Sequence, residues 1–501
     1  MRGMKSVFFV SALLTLAACG GGGGGGGGGN NNPAPPATNA APTVNAGADA
    51  TATLPTATVS LAGSATDDGP ASSLTYQWTA SPSAGVTFSA DKAAATNASF
   101  TTAGAYTLTL TVSDGTLTGT DTVAVTVSDA PAAALIWPAD DDGSEFHGWA
   151  KVNAADVGMD QNKLNDAAAI AQGVPSGVNA GSGMVVRHGQ LVHLWGDIDQ
   201  RLEMKSVTKS MGGILLGLAL DANKIALTGK GVDYMPTFGT PPTSNATQAQ
   251  LITISQLATH TSGFEKSDKQ ANGETASIIK FDPGTRWAYS DAGLNWLADV
   301  LTTIYQEDLS TVAQREVWVK LGLNPGGVAD DVVWRTNAQR PATRPGSTLQ
   351  YRELASGILA NTNAMARVGL LFLRQGKWQD QQILSQAFVT QVHTPLPENA
   401  SLPVEPDLPG HLFPNAQTDY GVLWWTNKSH TMANVPTDTF WAWGLGEELI
   451  VVIPSLDLVI VRNGGQSATN PAGRVWNDGD WDGDVRVLEP FLNPIVAGTT
   501  P

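Results

Sequence analysis

Two folded parts in series are what the sequence predicts: an all-β sandwich over residues 43–128, then an α+β domain over residues 146–497. Three observations lead there. In the first part, valine and leucine alternate with threonine at period two. In the second, runs that read as hairpins are interleaved with segments of helical apolar spacing. Ahead of both lies a Gly/Asn/Pro-rich stretch with no means of building a core. A length of 501 residues suits two or three domains, and a hydrophobic fraction of 42% is that of ordinary globular proteins. The formal charge of −17 argues against a nucleic-acid partner, which would need clustered Lys and Arg to neutralise phosphates.

Taken in order, the chain opens on Arg2 and Lys5, then an apolar run from Val7 to Leu16 that is too short to span a bilayer comfortably. The run ends in Leu16-Ala17-Ala18-Cys19. That ending resembles the lipobox of bacterial lipoproteins, and Cys19 is the only cysteine in the chain, so no intrachain disulfide forms. The resemblance implies a signal peptide over 1–18, cleavage before Cys19, lipidation of Cys19 and membrane anchorage through it. Gly20, standing where Asp would retain such a protein, implies the outer membrane of a bacterial envelope, on its periplasmic or outward face. Residues 19–42, with an unbroken run from Gly20 to Gly29, read as a flexible tether.

Over 43–128, Tyr106, Leu108, Leu110 and Val112 alternate with Thr107, Thr109 and Thr111, and Val123, Val125 and Val127 repeat the pattern. Such alternation fits half-buried antiparallel strands. Asp67-Asp68-Gly69-Pro70 and Asp114-Gly115 supply turns, and Trp78 is the expected core tryptophan. Through "SATDDG", "LTYQW", "AGAYTLTLTVSDG" and "DTVAVTV" the segment resembles a PKD-type immunoglobulin-like domain. The resemblance implies a spacer, or a module that binds a substrate or polymer.

A linker is expected over 129–145. In the large domain, Gly183 to Trp195 reads as a hairpin turning at His188-Gly189, and Ile450 to Val461 as another turning from Pro454 to Asp457. Ser206 to Leu220, Asp291 to Tyr305 and Ser356 to Gly376 have helical spacing. A helix beginning at Ser206 puts Lys209 one turn on, on the same face. That spacing suits a nucleophile and its base. A serine hydroxyl needs a group to take its proton, a helix N-terminus favours developing negative charge, and burial with nearby positive charge makes a lysine a better base.

Further segments follow in order: Thr259-His260-Thr261-Ser262-Gly263, Tyr289-Ser290-Asp291, Ala355-Ser356-Gly357, and Trp441-Ala442-Trp443-Gly444-Leu445-Gly446 leading into the last hairpin. With Ser206-Val207-Thr208-Lys209, this series resembles the class C β-lactamase-like serine hydrolases, over roughly Val157 to Pro494. That superfamily holds β-lactamases, DD-peptidases, family VIII esterases and 6-aminohexanoate-dimer hydrolases. The resemblance implies an antiparallel sheet flanked by helices, with a helical subdomain. It makes Ser206 the acyl-accepting nucleophile, Lys209 its partner and Tyr289 the tyrosine that shares proton transfer. It makes the backbone N–H groups of Ser206 and Leu445 the oxyanion hole.

Two departures bear on substrate. Asp291 stands where the family has Asn, and an ionised carboxylate cannot donate a hydrogen bond but can pair with Lys209. Ala442-Trp443-Gly444 fills the place of Lys-Thr-Gly, with no lysine for a substrate carboxylate and Trp443 expected as an apolar wall beside Gly444. Both departures point to neutral esters or small amides. A DD-peptidase or β-lactamase, a 6-aminohexanoate-oligomer-type amidase, and a surface-binding protein on an inactive hydrolase fold are the alternatives. His260 is expected to be structural. Trp424, Trp425 and Trp441 are as well explained by core packing as by a cleft. There is no Gly-x-Ser-x-Gly elbow. Asp478, Asp480, Asp482 and Glu489 fit the EF-hand loop formula, yet the segment before them lacks helical pattern, so an acidic surface loop is expected rather than calcium. No cofactor or metal is expected in the chemistry.

Overall fold

The computed structural model describes residues 38–500, apart from 55–56, 71–72, 129–134, 173–180, 240–245, 267–277, 324–330, 337–347, 407–412, 447 and 465–483. The leader, Cys19 and the glycine run lie outside the described residues, as do Asp478, Asp480 and Asp482. Glu489 is described; it opens a helix, and its Oε1 accepts the Ala433 N–H at 3.2 Å. The chain divides into two compact units, the second beginning at Leu135.

Among its described residues the first unit has nine strands: β1 (Thr43–Asn45), β2 (Ala50–Thr53), β3 (Thr58–Ala62), β4 (Ser64–Thr66), β5 (Thr75–Ser81), β6 (Val86–Phe88), β7 (Ala95–Phe100), β8 (Gly104–Ser113) and β9 (Thr118–Ser128). They form a four-stranded sheet in the order β2-β9-β8-β5, a three-stranded sheet β3-β7-β6, and the pair β1-β4. β2 runs parallel to β9. The Thr/Val alternation puts Leu108, Leu110, Val123 and Val125 inward, against Trp78 and Phe100. Trp78 is buried and its Nε1 donates to the carbonyls of Ala93 and Ala94 at 3.1 and 3.2 Å, so its one polar atom is satisfied.

In the second unit, α1 (Gln161–Gln172) precedes the hairpin β10 (Ser182–Arg187) and β11 (Gln190–Trp195). Its turn, His188-Gly189, has φ of 54° and 77°, the two left-handed residues that a tight hairpin of this hand requires. β12 (Leu202–Glu203) leads to α2 (Val207–Gly212) and α3 (Ile214–Asp221). After α4 (Asp291–Tyr305) come β13 (Val332–Trp334), β14 (Ile358–Ala360), α5 (Thr362–Leu373), the short pair β15 (Lys377–Trp378) and β16 (Gln381–Gln382), and β17 (Trp425–Thr426). The chain closes with β18 (Phe440–Gly444), β19 (Glu448–Ile453), β20 (Leu458–Asn463) and α6 (Glu489–Ala497).

The central sheet has the order β11-β10-β20-β19-β18-β17 and is antiparallel throughout. Both faces are covered, which is why Ile450 to Val461 reads as a continuous apolar run rather than an alternating one. Ile450, Val452, Val459 and Val461 share one core with Val368 of α5 and with the α2 and α4 helices. Leu449, Val451, Ile453 and Ile460 share the other with α1 and α6.

Two expectations change here. The helix expected from Ser356 begins only at Thr362. Ile358–Ala360 is instead the middle strand of the order β12-β14-β13, and Asn361 starts the helix by accepting the Ala364 N–H on its side chain at 2.9 Å. A short apolar run ahead of a cap reads equally as either element until its neighbours are known. Residues 135–145, expected as linker, belong to the second unit. Trp137 packs on Trp378 with ring centroids 5.3 Å apart, the Asp141 N–H donates to Gly322 O at 2.8 Å, and Arg367 donates to Ala139 O at 2.6 Å. His147 fastens this segment further, with Nδ1 2.9 Å from Asp141 Oδ1 and Nε2 2.8 Å from Asp199 Oδ1.

Candidate active site

The entry to α2 gathers the predicted residues. Lys205 is held at φ 47°, a left-handed turn that costs a non-glycine residue about 1–3 kcal/mol and presents Ser206 at the start of the helix. The helix is pinned by its neighbours: Ser210 Oγ donates to Leu423 O at 2.6 Å, and Thr208 Oγ1 accepts the N–H groups of Gly357 and Ile358 at 3.2 and 3.1 Å. Lys209 is buried, with 2% of its side chain exposed. Its Nζ donates to Ser206 Oγ and to Ala355 O, each at 2.8 Å, and stands 2.7 Å from Asp291 Oδ1 as an ion pair.

Two protons of the ammonium are thus placed by hydrogen bonds, and the Asp291 carboxylate lies against it as a counter-charge. With one proton removed, the amine can keep its bond to Ala355 O and turn its lone pair to the Ser206 hydroxyl at 2.8 Å. The Ala355 carbonyl is itself held in place, since the Ala355 N–H donates to Asn295 Oδ1 of α4 at 3.2 Å.

Tyr289 and Asp291 arrive from the N-terminus of α4. Ser290 caps that helix, accepting the Gly293 N–H at 3.0 Å and donating its own hydroxyl to Glu265 O at 2.9 Å. Tyr289 is buried, and its ring centroid lies 4.9 Å from Lys209 Nζ. His260 grips the backbone on either side of it: His260 O accepts the Ala288 N–H at 2.8 Å, and its Nδ1 accepts the Ser290 N–H at 3.0 Å. The imidazole also stacks on the Tyr289 ring at 4.3 Å. Burial, reinforced by the Lys209 charge, pushes His260 well below the usual imidazole range, so the ring is neutral and its Nδ1 lone pair is occupied.

Asp291 bridges two cations, Lys209 and Lys266, the latter at 3.1 Å from Oδ2. Burial alone would raise its carboxyl. The two ammonium groups outweigh that and hold it well below the usual carboxylate range. Sequence reasoning missed Lys266. It lies 25 positions from Asp291, and nothing in Phe264-Glu265-Lys266 marks it.

Ala442 to Gly444 lie beyond the last residue that β17 pairs, so among the described residues this stretch of β18 is an open edge over the start of α2. Gly444 is required there: a Cβ on it would sit 2.5 Å from Met204 O and 3.2 Å from Lys205 Cβ. Leu445 follows at the turn, 45% exposed. Trp443 departs from expectation. It is 2% exposed and packs edge-on against Trp425 at 6.1 Å, so it belongs to the core rather than to a cleft wall. Strand alternation sends it to the face that also holds Trp441 and Tyr289, while Ala442 goes to the opposite face. Trp424, Trp425 and Trp441 are core residues as well.

A family model described as Beta-lactamase matches residues 167–478, and one described as a PKD domain matches residues 46–127. No curated protein matches the chain. Among solved structures, a Bacillus anthracis protein assigned as a 6-aminohexanoate-dimer hydrolase is similar at 16% identity and a TM-score of 0.51, over 72% of this chain and 88% of that one. EstCE1, a hydrolase with promiscuous acyltransferase activity, is similar at 15% identity and a TM-score of 0.48, over 68% and 98% of the two chains. A family VIII carboxylesterase is similar at 16% identity and a TM-score of 0.46, over 66% and 97%.

Proposed function

Since the chain belongs to the Beta-lactamase family, with a PKD domain ahead of the family's α+β domain, we propose that it is a serine hydrolase acting through an acyl-enzyme on neutral carboxylic esters or small amides. The observation that carries the reading is the buried Lys209 Nζ held by Ala355 O with Ser206 Oγ at 2.8 Å, a hydrogen-bonded nucleophile and base. Ser206 Oγ attacks the substrate carbonyl carbon, and its proton passes to the Lys209–Tyr289 pair. The oxyanion rests against the N–H groups of Ser206 and Leu445, a device whose single donors are commonly worth about 10²–10³ in rate. The tetrahedral intermediate collapses, the leaving group takes the proton back through Tyr289, and water releases the acid by the same route.

Neutral substrates are favoured because Phe440 to Gly444 carry no cation, and the Lys205 and Lys266 ammonium groups are paired with Glu203 and Asp291. Lipidation at Cys19 and placement in the outer membrane complete the proposal, with the first unit as a spacer.

The test compares a panel of nitrophenyl esters with nitrocefin, for wild type and Ser206→Ala. Ester hydrolysis lost in the variant, with nitrocefin barely touched, is the expected result. Fast Ser206-dependent nitrocefin turnover would overturn the substrate class. Absence of Ser206-dependent labelling by a fluorophosphonate probe would overturn the enzyme reading and leave an inactive fold.

A further inference from the structure

The site holds a second ammonium that none of the motifs supplies. The Lys266 side chain is 21% exposed, and Nζ stands 3.1 Å from Asp291 Oδ2 and 4.2 Å from the centroid of the Tyr289 ring. Its backbone is fixed to the same segment, since the Asp291 N–H donates to Lys266 O at 3.0 Å and the Ser290 hydroxyl donates to Glu265 O. One carboxylate therefore lies between two ammonium groups, and both ammonium groups lie over one tyrosine ring.

A carboxylate beside a lysine that must give up a proton is a handicap. Its negative charge favours the ammonium over the amine, and in the same way it favours the phenol over the phenolate. Asp291 stays charged, because Lys209 and Lys266 together outweigh its burial. The handicap is therefore present at any working pH unless another charge offsets it. Lys266 is the group placed to do so.

We propose that Lys266 is a positioning residue that counterbalances the Asp291 carboxylate, allowing the Ser206–Lys209–Tyr289 set to reach its proton-accepting state at lower pH than Asp291 alone would permit. The proposal rests on the reading of those three residues as the acylating set. It holds whether Lys209 or Tyr289 takes the serine proton, because Lys266 acts on both in the same direction. It also ties the two departures from the family pattern together. The acidic residue in Tyr289-Ser290-Asp291 and the missing lysine of Ala442-Trp443-Gly444 leave a charge to be balanced, and the balancing cation comes from the segment after His260.

The other titratable groups packed here, among the described residues, do not supply that charge. His260 is neutral, by burial and the Lys209 charge. Tyr420 is pushed well above the ordinary phenol range by burial and by Tyr289. Glu203 is engaged by Lys205 at 2.9 Å and by Arg335 at 2.5 Å. Glu265 is acidic and adds no positive charge.

The experiment records kcat/KM against pH on a nitrophenyl ester, using the full chain as wild type, Lys266→Gln, Lys266→Arg, Asp291→Asn and the double variant Lys266→Gln/Asp291→Asn. In Lys266→Gln the acid limb moves up by about 1 pH unit or more, a loss of about tenfold on the acid side. Lys266→Arg keeps the wild-type limb. Asp291→Asn moves it down, and the double variant returns it to the wild-type position or below. The double variant separates a charge balance from a structural part, since removing both charges cures only the former. An unmoved limb in folded Lys266→Gln overturns the proposal, as does a double variant that keeps the upward shift, or a rise in KM alone. Should Lys266→Gln fail to fold, the double variant measured against Asp291→Asn carries the test: its acid limb lies above that of Asp291→Asn, and coincident limbs overturn the proposal. Ester hydrolysis that survives Ser206→Ala would overturn the parent reading, a result distinct from an unmoved limb in an active Lys266→Gln.

Discussion

Gly444→Ala asks how closely the open edge of β18 must approach the start of α2. The added Cβ would stand 2.5 Å from Met204 O, 3.1 Å from Glu448 Cβ and 3.2 Å from Lys205 Cβ. The first of these is a backbone atom two residues from Ser206, so no side-chain rotation relieves it. Ordinary contact begins at 3.4 Å, and going from 2.5 to 3.4 Å moves the strand edge away from the helix entry by about 0.9 Å. A displacement of about 1 Å between reacting groups can cost on the order of 10²-fold in rate, and overpacking of this kind costs about 1–3 kcal/mol of stability. Gly444→Ala is therefore expected to lower kcat on a nitrophenyl ester by about two orders of magnitude. Urea denaturation should still show a folded chain. A folded variant with kcat within about twofold of wild type would refute the reasoning, because the edge could then retreat from Ser206 without consequence.

His147→Gln is expected to cost about 1–3 kcal/mol near pH 6 and clearly less near pH 9, by urea denaturation at both values. Its hydrogen bond to Asp141 raises the imidazole above its ordinary value against the opposing effect of burial. The stabilisation is thus full below the unfolded value near 6.5 and lost as pH rises through the higher folded one; an equal cost at both pH values would contradict this. Trp78→Ala should destabilise the first unit by about 3–5 kcal/mol, read as earlier urea unfolding or faster proteolysis within residues 43–128. Unchanged unfolding would mean that Trp78 is not the centre of that core.

Much of this was legible because local chemistry and tertiary context agree. His188-Gly189 demands a tight turn and lies between runs that pair. Val123, Val125 and Val127 face inward because the sheet has one wet side. Ser206 and Lys209 meet because an i,i+3 spacing on a helix is a matter of geometry alone. What stayed hidden depends on long-range partners. Ile358–Ala360 becomes a strand only because β12 and β13 flank it. Ala139, within the expected linker, is bound by Arg367, more than two hundred positions later. Trp443 is buried because Trp425, on another strand, waits on that face. Lys266 carries no motif of its own, and only the fold brings it to Asp291.

β2 and β9 run side by side in the same direction, Ala50 opposite Val125 and Thr53 opposite Ser128. The chain therefore enters that ladder at one end and leaves it at the other. A pull on the two ends of the unit would load the β2–β9 hydrogen bonds in shear, several at once, rather than peeling them open one after another. Resistance to stretching should accordingly reside in this one ladder, and the force at which the unit gives way should fall when its bonds are removed.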